Sequence, residues 1–459
     1  MNLTKNIEVY GQHKTSTADM ILAVTGFLCI VMAVFPSAST VCAILMLPCI
    51  GLLFFHDDYY VLAAVFIFFT EQLTVTTSMP INRAFQYLLF ARFLLYDLKN
   101  LHFRAWIFPT FLVFTLYGIF VLPQADVSNI VALFEERNQI PPSEMAIRAD
   151  LVFKYFCDML YMLIIATKLY TDRPLLGKFL NMMVFLTVVS GVYGLRAENV
   201  FNYTEGYVAG GTRQMASFND PNYASFFINV AIFITFAKIH KKILKFPLLI
   251  VLYAFLVGAG SMTGFLLNII GMVVFSLIRF RKMALIIIAA ITVVGISAGV
   301  LVAKVPALYN TKAVQTIVTR IAYQYIEAEG DEEEVLDTMT SGRAGQWKKY
   351  IQYFLSQDTP HRLFGGNVLT TTTMAPYFEE EYEHGPHQAY ISFAINFGVI
   401  GLIIVMLAFL IKMGAMFLRA VKNHDENELA LFMTSLSWLI YGMALDYFFD
   451  IRFMTFFFL

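Results

Sequence analysis

The sequence predicts an all-α polytopic membrane protein with about twelve to fourteen transmembrane helices, since many of its apolar runs approach the ~20 residues a helix needs to cross a bilayer. Two further observations support this class. Of 459 residues, 58% are hydrophobic and 14% charged, where a soluble domain averages roughly 45–50% apolar and about 25% charged. Lysines and arginines also collect in alternate loops, as they do on the cytoplasmic side of a membrane. Nothing shows the ~10-residue alternating strands of an outer-membrane barrel.

Taken in order, the candidate spans are 20–36, 38–55, 59–75, 84–98, 105–122, 151–170, 179–195, 222–237, 246–260, 262–279, 283–303, 388–411 and 428–448. With Lys5 and Lys14 inside, the turns Lys99–Arg104, Lys168–Lys178, Lys238–Lys245, Arg279–Lys282 and Lys412–Lys422 also fall inside, which favours thirteen spans. Span 84–98 carries Arg92; if it lies on the membrane surface, the N-terminus moves outside and the later loops keep their sides. The nineteen N-terminal residues are polar and lack a small-residue cleavage signal, so no removable signal peptide is expected. The stretch Asp450–Leu459 is apolar but too short to span; it either re-enters the membrane or lies against the bundle.

Three regions follow: a bundle of about eleven helices over 1–303, an extracytoplasmic loop over 304–387, and C-terminal membrane helices over 388–459. Two smaller outer loops are 123–150, with Glu135, Glu136, Arg137 and Arg148, and 196–221, with Arg196, Glu198 and Arg213. Within the long loop, Val314, Ile317, Val318, Ile321 and Tyr325 recur at helical spacing. Residues Glu327–Glu334 form an acidic, solvated turn. Ser341–Leu355 is a second amphipathic helix with Trp347, Tyr350, Ile351 and Phe354 in its stripe and Arg343 one turn before Trp347. Asp358–Asn367, with Pro360, Gly365 and Gly366, is a turn. The two helices would cover the outer face of the bundle.

Several classes are excluded. The net charge of −1 leaves no global nucleic-acid footprint. Cys29, Cys42, Cys49 and Cys157 lie in apolar runs without metal-site spacing and are expected to be packing residues. There is no zinc signature, no glycine-rich phosphate loop, and no inverted repeat of the transporter kind.

The residues able to carry chemistry face the outer side. Pro386 is expected in the first helical turn, which puts His387 at the N-terminal end of a membrane helix. That end attracts anions and disfavours imidazolium, so the ring could serve as a base; the alternative is a histidine that anchors the helix at the interface. Arg343 could grip a phosphate with its fork of donors, or pair with the acidic run. Arg213 precedes a polar turn in which Asn219 and Asp220 suit turn and cap roles. Lys154 and Asp158, four apart, are expected to pair. Glu379, Glu380, Glu381 and Glu383 offer a general base or simply a solvated face.

Three segments, in this order, resemble the bacterial O-antigen polymerase and ligase superfamily. They are Arg213 with the Ser217–Asn222 turn, Arg343–Trp347 followed by His361–Gly366, and His387-Gln388 followed by Gly398 and Gly401. The match covers roughly the second half of the chain. The resemblance implies a membrane-embedded, GT-C-like glycosyltransferase of the bacterial cytoplasmic membrane, active on its extracytoplasmic side, needing no metal, nucleotide or other cofactor. Its implied donor is an undecaprenyl-diphosphate-linked oligosaccharide, its other substrate a glycan acceptor, and its protein partners a flippase and a chain-length regulator. On the matching positions, Arg213 and Arg343 would hold the diphosphate and His387 would activate or orient the acceptor hydroxyl. Trp347, Asn222 and Arg362 would bind substrate. The family often has Ser-Arg where this chain has Ser261-Met262, so either another cation, such as Arg320 or Lys154, replaces the arginine or the diphosphate grip differs. The acidic, idiosyncratic long loop favours a polymerase that joins lipid-linked repeats. A ligase acting on lipid A-core, or on a protein acceptor, is the alternative. A lipid-linked oligosaccharide flippase is the non-enzyme alternative, and would need polar residues along an inner cavity rather than a loaded outer loop.

Overall fold

The computed structural model describes residues 17–56, 59–69, 74–76, 79–80, 87–88, 90–97, 107–125, 127, 131, 134, 140–196, 200–202, 212–214, 216–218, 220–280, 343–366, 386–445 and 450–459. Helices dominate: α1 (Thr17–Val34), α2 (Ser39–Phe55), α3 (Tyr60–Phe69), α4 (Ile107–Phe120), α5 (Glu144–Thr171), α6 (Arg173–Arg196), α7 (Pro221–Lys238), α8 (Lys242–Ala259), α9 (Met262–Arg279), α10 (Arg343–Ser356), α11 (Thr359–Phe364), α12 (Ala389–Asn423), α13 (Glu426–Tyr441) and α14 (Ile451–Phe458). Among the described residues the only strands are two short antiparallel pairs, β1 (Thr74–Thr76) with β2 (Met79–Pro80), and β3 (Val200–Asn202) with β4 (Thr212–Gln214). The expected span 283–303, the helix over 311–325, the acidic run with Arg320 beside it, and Glu379–Glu383 lie outside the described residues.

Five described helices are long and apolar enough to cross a membrane: α1, α6, α8, α9 and α12. Each coincides with a run read from sequence. In α1 and α8 only 28% of the span window is buried, as expected of helices whose outer faces meet lipid. By contrast, α7 is buried on nearly all sides, including its polar residues Asn222, Ser225, Asn229 and Thr235. It is the centre against which α6, α8, α9 and α13 pack. Contact there is close: a Cβ on Gly271 of α9 would lie 2.2 Å from the Phe233 ring of α7. Lipid tails are as apolar as the core, so such close van der Waals fits, rather than hydrophobic transfer, hold membrane helices together. The four cysteines form no disulfide, and three of them are buried.

The short apolar stretch near residue 459 resolves its own ambiguity. Helix α14 is embedded in the bundle, with Phe453, Met454, Phe456, Phe457 and Phe458 all at most 1% exposed. Asp450 caps it by accepting from Arg452 N. Its far end is held by a lysine: Lys412 Nζ donates to the carbonyls of Phe456 at 2.6 Å and Phe457 at 2.8 Å. This corrects the expected inner turn at Lys412–Lys422. Helix α12 runs on to Asn423, and Lys412 is 2% exposed inside the bundle. A cation at the carbonyl end of a helix is well matched to the unsatisfied acceptors there.

Among the described residues, Arg173, His240, Arg279 and Arg419 of the turns read as internal meet at one end of the bundle, while Lys99–Arg104, Arg281 and Lys282 lie outside the described residues. The start of α13 is acidic: Asp425 caps it, accepting from Asn427 N and Glu428 N. Glu428, 0% exposed, takes Arg173 at 2.5 Å and Arg419 at 3.0 Å. Glu426 takes His240 at 2.9 Å and Arg279 at 3.6 Å. One acidic turn therefore draws in the ends of α6, α9, α12 and the α7–α8 connection. Nearby ends are tied likewise: Lys178 pairs with Asp19 at 3.0 Å. Arg92 Nη1 donates to Phe54 O at 2.6 Å with its guanidinium over the Tyr60 ring.

Candidate functional site

The opposite end of the bundle holds Arg343, His387 and Asn222; Arg320 and Asn219 lie outside the described residues. Its organising piece is the turn Gly442–Leu445 that follows α13. Ala389 N, the first amide of α12, donates to Gly442 O at 2.8 Å. Arg343 Nη1, at the start of α10, donates to Ala444 O at 2.8 Å. The α12 entrance bearing His387 and the α10 entrance bearing Arg343 are thus fastened to carbonyls two residues apart. The Tyr390 hydroxyl adds a third bond, to Leu439 O.

Two expectations are corrected here. Pro386 is not in the first helical turn: Gln388 is the N-cap and Ala389 the first helical residue, so Pro386 lies three residues upstream. The amide of Ala389 is already engaged, so the helix end offers an anion fewer donors than the sequence suggested. His387 is half-buried and has φ +48°, a left-handed conformation uncommon for a residue with a Cβ, though histidine is enriched in it. The chain turns sharply at the imidazole-bearing residue, and the α12 anchorage holds that turn.

Helix α10 matches the expected amphipathic helix, with one change in its packed face. Tyr350 is 1% exposed and packs with Ile391 and Ile395 of α12, joined by Trp347, Tyr353 and Phe354. Ile351, expected in the stripe, is 46% exposed. Trp347 Nε1 is buried without a hydrogen-bond partner among the described residues, one turn from Arg343. An unsatisfied buried donor costs about 1–3 kcal/mol, so an indole N–H there suits an incoming oxygen acceptor.

The segment read as a turn over 358–367 is instead the short helix α11, capped by Asp358, whose carboxylate accepts from His361 N at 3.0 Å and meets His361 Nδ1 at 2.5 Å. These contacts hold the Asp358 carboxyl below the usual carboxylate range. Arg362 on α11 is half-buried; its one side-chain bond, Nη2 to Thr359 Oγ1, is long at 3.4 Å, and its Nε is unpartnered among the described residues.

Helix α11 seats on α12 through two glycines. Gly398 breaks α12 with φ +69° and ψ 174°, and Gly365 ends α11 with φ +75°. A Cβ on Gly365 would lie 2.1 Å from Asn396 O, and one on Gly398 2.2 Å from Leu363 O. The two backbones touch, which side chains at either position would forbid. Asn396 is fixed from both sides: its Oδ1 accepts from Tyr117 of α4 at 2.7 Å and its Nδ2 donates to Ser392 O at 2.8 Å.

The polar turn before α7 closes the arrangement. Asp220 caps α7, as its residue type suggested, accepting from Asn222 N at 2.5 Å. Asn222 Oδ1 accepts from Ser261 Oγ, the cap of α9, at 2.8 Å. Ser225 Oγ and Tyr441 Oη share a bond of 2.5 Å that joins α7 to the end of α13. The turn containing Asn222 and the turn organising Arg343 and His387 are therefore linked through one tyrosine. Arg213 lies in β4, opposite Phe201 in β3. Lys154 does not pair with Asp158: it reaches back one turn to Asp150 at 2.5 Å, while Asp158 is buried at 9%.

Sequence reasoning passed over Tyr441, the Gly442–Leu445 turn and Arg452. The last is 8% exposed, gripped by Asp450 at 3.0 and 2.5 Å, with its guanidinium over the rings of Phe218 and Tyr223. The signal available was Asp450 and Arg452 at the head of an otherwise apolar stretch. Also missed was a buried polar ladder in which Tyr253 Oη donates to Asn268 Oδ1, Asn268 Nδ2 to Asn229 Oδ1, and Asn229 Nδ2 to Ser225 O and Gly264 O. Among the described residues no three His, Cys, Asp or Glu side chains gather as a metal site would require. Neither a family model nor a curated protein sequence matches this chain.

Proposed function

We propose that this chain is a membrane-embedded, metal-independent glycosyltransferase that moves a glycan from a polyprenyl diphosphate to a second lipid-linked repeat unit on the extracytoplasmic face, as an O-antigen or related polysaccharide polymerase does. The observation that carries the reading is the shared anchorage of Arg343 and His387 on the Gly442–Ala444 turn. A cation for the leaving diphosphate and a base for the acceptor are the two groups that such a transfer needs. A diphosphate is stable as an anion, so its departure is helped by fixed cations more than by an acid. A sugar hydroxyl is a weak nucleophile until a base takes its proton. In this account Arg343 and Arg213 stabilise the diphosphate, His387 receives the proton, and Trp347 and Asn222 contact the glycan or the phosphates. Among the described spans Lys154 is committed to Asp150, which leaves Arg320 as the expected extra cation.

The basic turns that converge on Asp425, Glu426 and Glu428 support a cytoplasmic position for that end of the bundle, with the twelve to fourteen spans of the sequence reading between it and the outer site. The lipid-linked glycans that accumulate when the gene is deleted test the proposal. Single repeats on carrier lipid are expected. Long chains on carrier lipid would make the protein a ligase, and no accumulation would remove both.

A further inference from the structure

Helices α10 and α11 carry more apolar surface than their packing on α12 uses. On α10, Ile351 and Leu355 lie one turn apart, 46% and 58% exposed, on an edge next to the packed stripe. On α11, Leu363 and Phe364 are 39% and 66% exposed. The two helices hold four basic side chains, Arg343, Lys348, Lys349 and Arg362, against one acidic, Asp358. An exposed apolar edge beside basic side chains is the pattern of a helix that lies in a membrane interface.

The glycine contact fixes the depth of this edge. Large apolar side chains of α12 first become exposed at Val399 and Ile400, immediately after Gly398, and continue to Leu418, with Val421 beyond Arg419. At about 1.5 Å per residue, Val399 to Leu418 rises roughly 30 Å, the thickness of the hydrocarbon core. The lipid boundary of α12 therefore falls at Gly398, where Gly365 touches it. Leu363 and Phe364, just before Gly365, must lie at that level, continuous with the lipid-facing surface of α12.

We propose that α10 and α11 form an interfacial arm. Its Ile351–Leu355 and Leu363–Phe364 edge enters the outer boundary of the bilayer, and Arg362 takes the phosphate of an anionic lipid headgroup. Arg362 suits that contact: its guanidinium is half-buried beside the apolar edge, with one weak bond and an unpartnered Nε. The arm is then a wedge in the membrane surface beside the candidate site rather than a cover over it. This inference needs only that α12 spans the membrane; it does not depend on glycan transfer.

The test uses the full chain in proteoliposomes, with its four cysteines replaced by alanine and a fluorescent bimane at Phe364→Cys, Leu355→Cys or, on the exposed side of α10 turned away from Ile351, Ser356→Cys. Probes at 364 and 355 should be quenched several-fold more by shallow spin-labelled lipid than by aqueous iodide, and the probe at 356 the reverse. Iodide-dominated quenching at 364 and 355 would overturn the proposal. If the cysteine-free chain does not fold, a lipid-phase carbene reagent applied to the unmodified protein should label 351–364; labelling confined to the spanning helices would overturn it. Quenching at 364 should be stronger in phosphatidylglycerol than in phosphatidylcholine vesicles, and Arg362→Gln should remove the difference. Loss of that difference on adding millimolar inorganic phosphate would show a free-anion site instead, and would remove the headgroup claim.

Discussion

Replacing Gly398 by alanine should detach α11 from α12 without unfolding the bundle. Two costs arise at this position. The backbone, at φ +69° and ψ 174°, lies in a region used almost solely by glycine, and holding a residue with a Cβ there costs on the order of 1–3 kcal/mol. The new Cβ would also sit 2.2 Å from Leu363 O and 2.5 Å from Gly365 N. Both are backbone atoms that cannot rotate away, so overpacking adds about 1–3 kcal/mol. Separating α11 from α12 relieves the second cost, and α10 stays tethered by Arg343 and Tyr350. The loss therefore falls on local opening rather than on the global stability. In purified protein, trypsin should cut at Arg362 on α11 at least tenfold faster in Gly398→Ala than in the unmodified chain, with little change at Lys348 and Lys349 of the tethered α10, since ~1.4 kcal/mol is one factor of ten in the open population. Gly365→Ala should do the same, and the double variant should be little worse than the worse single one, because both break one contact. A Gly398→Ala protein as resistant to cutting at Arg362 as the parent would refute the clasp.

Other outcomes follow from the same geometry. Arg343→Lys should lose roughly ten- to a hundredfold in transfer rate, the effect of losing a charge-assisted bond worth about 1.5–3 kcal/mol; full activity in a well-expressed variant would make Arg343 an ordinary structural residue. Lys412→Met, which leaves the carbonyls of Phe456 and Phe457 without their donor, should lower the melting temperature through a loss of about 1–3 kcal/mol per orphaned acceptor, and an unchanged melt would show that α14 is held by packing alone. Purified protein given lipid-linked substrate should turn over in excess chelator; activity lost in chelator and restored by a divalent cation would remove the arginine mechanism.

Much of the helix plan was legible because it rests on local pattern. The runs that became α1, α6, α8, α9 and α12 announce themselves by length and apolar content, and Asp220 announces a cap by residue type. The stripe of α10 was readable for the same reason, save that Ile351 and Tyr353 exchange roles, since the stripe faces α12 at an angle that periodicity alone does not set. What could not be read depends on partners distant in sequence or on backbone atoms. Lys412 looked like one more basic residue of a loop because its acceptors are carbonyls in α14, 44 and 45 residues on. The turn Gly442–Leu445 carries no titratable side chain, and it works through its carbonyls. Gly365 and Gly398 were visible as glycines, but their contact was not. Lys154 and Asp158 had helical spacing for a pair, yet Asp150 lay equally near on the other side and won.

The claim at the centre is that His387 serves the acceptor while Arg343 serves the leaving group, both held by one turn. The direct test is single-turnover transfer by His387→Ala with defined lipid-linked donor and acceptor, with donor binding measured separately. General-base assistance is typically worth about 10²–10⁴-fold, so the variant should bind donor as the parent does and transfer it slower by about that factor. A variant that binds donor poorly yet transfers the bound glycan at the parental rate would contradict the account and make His387 a binding residue.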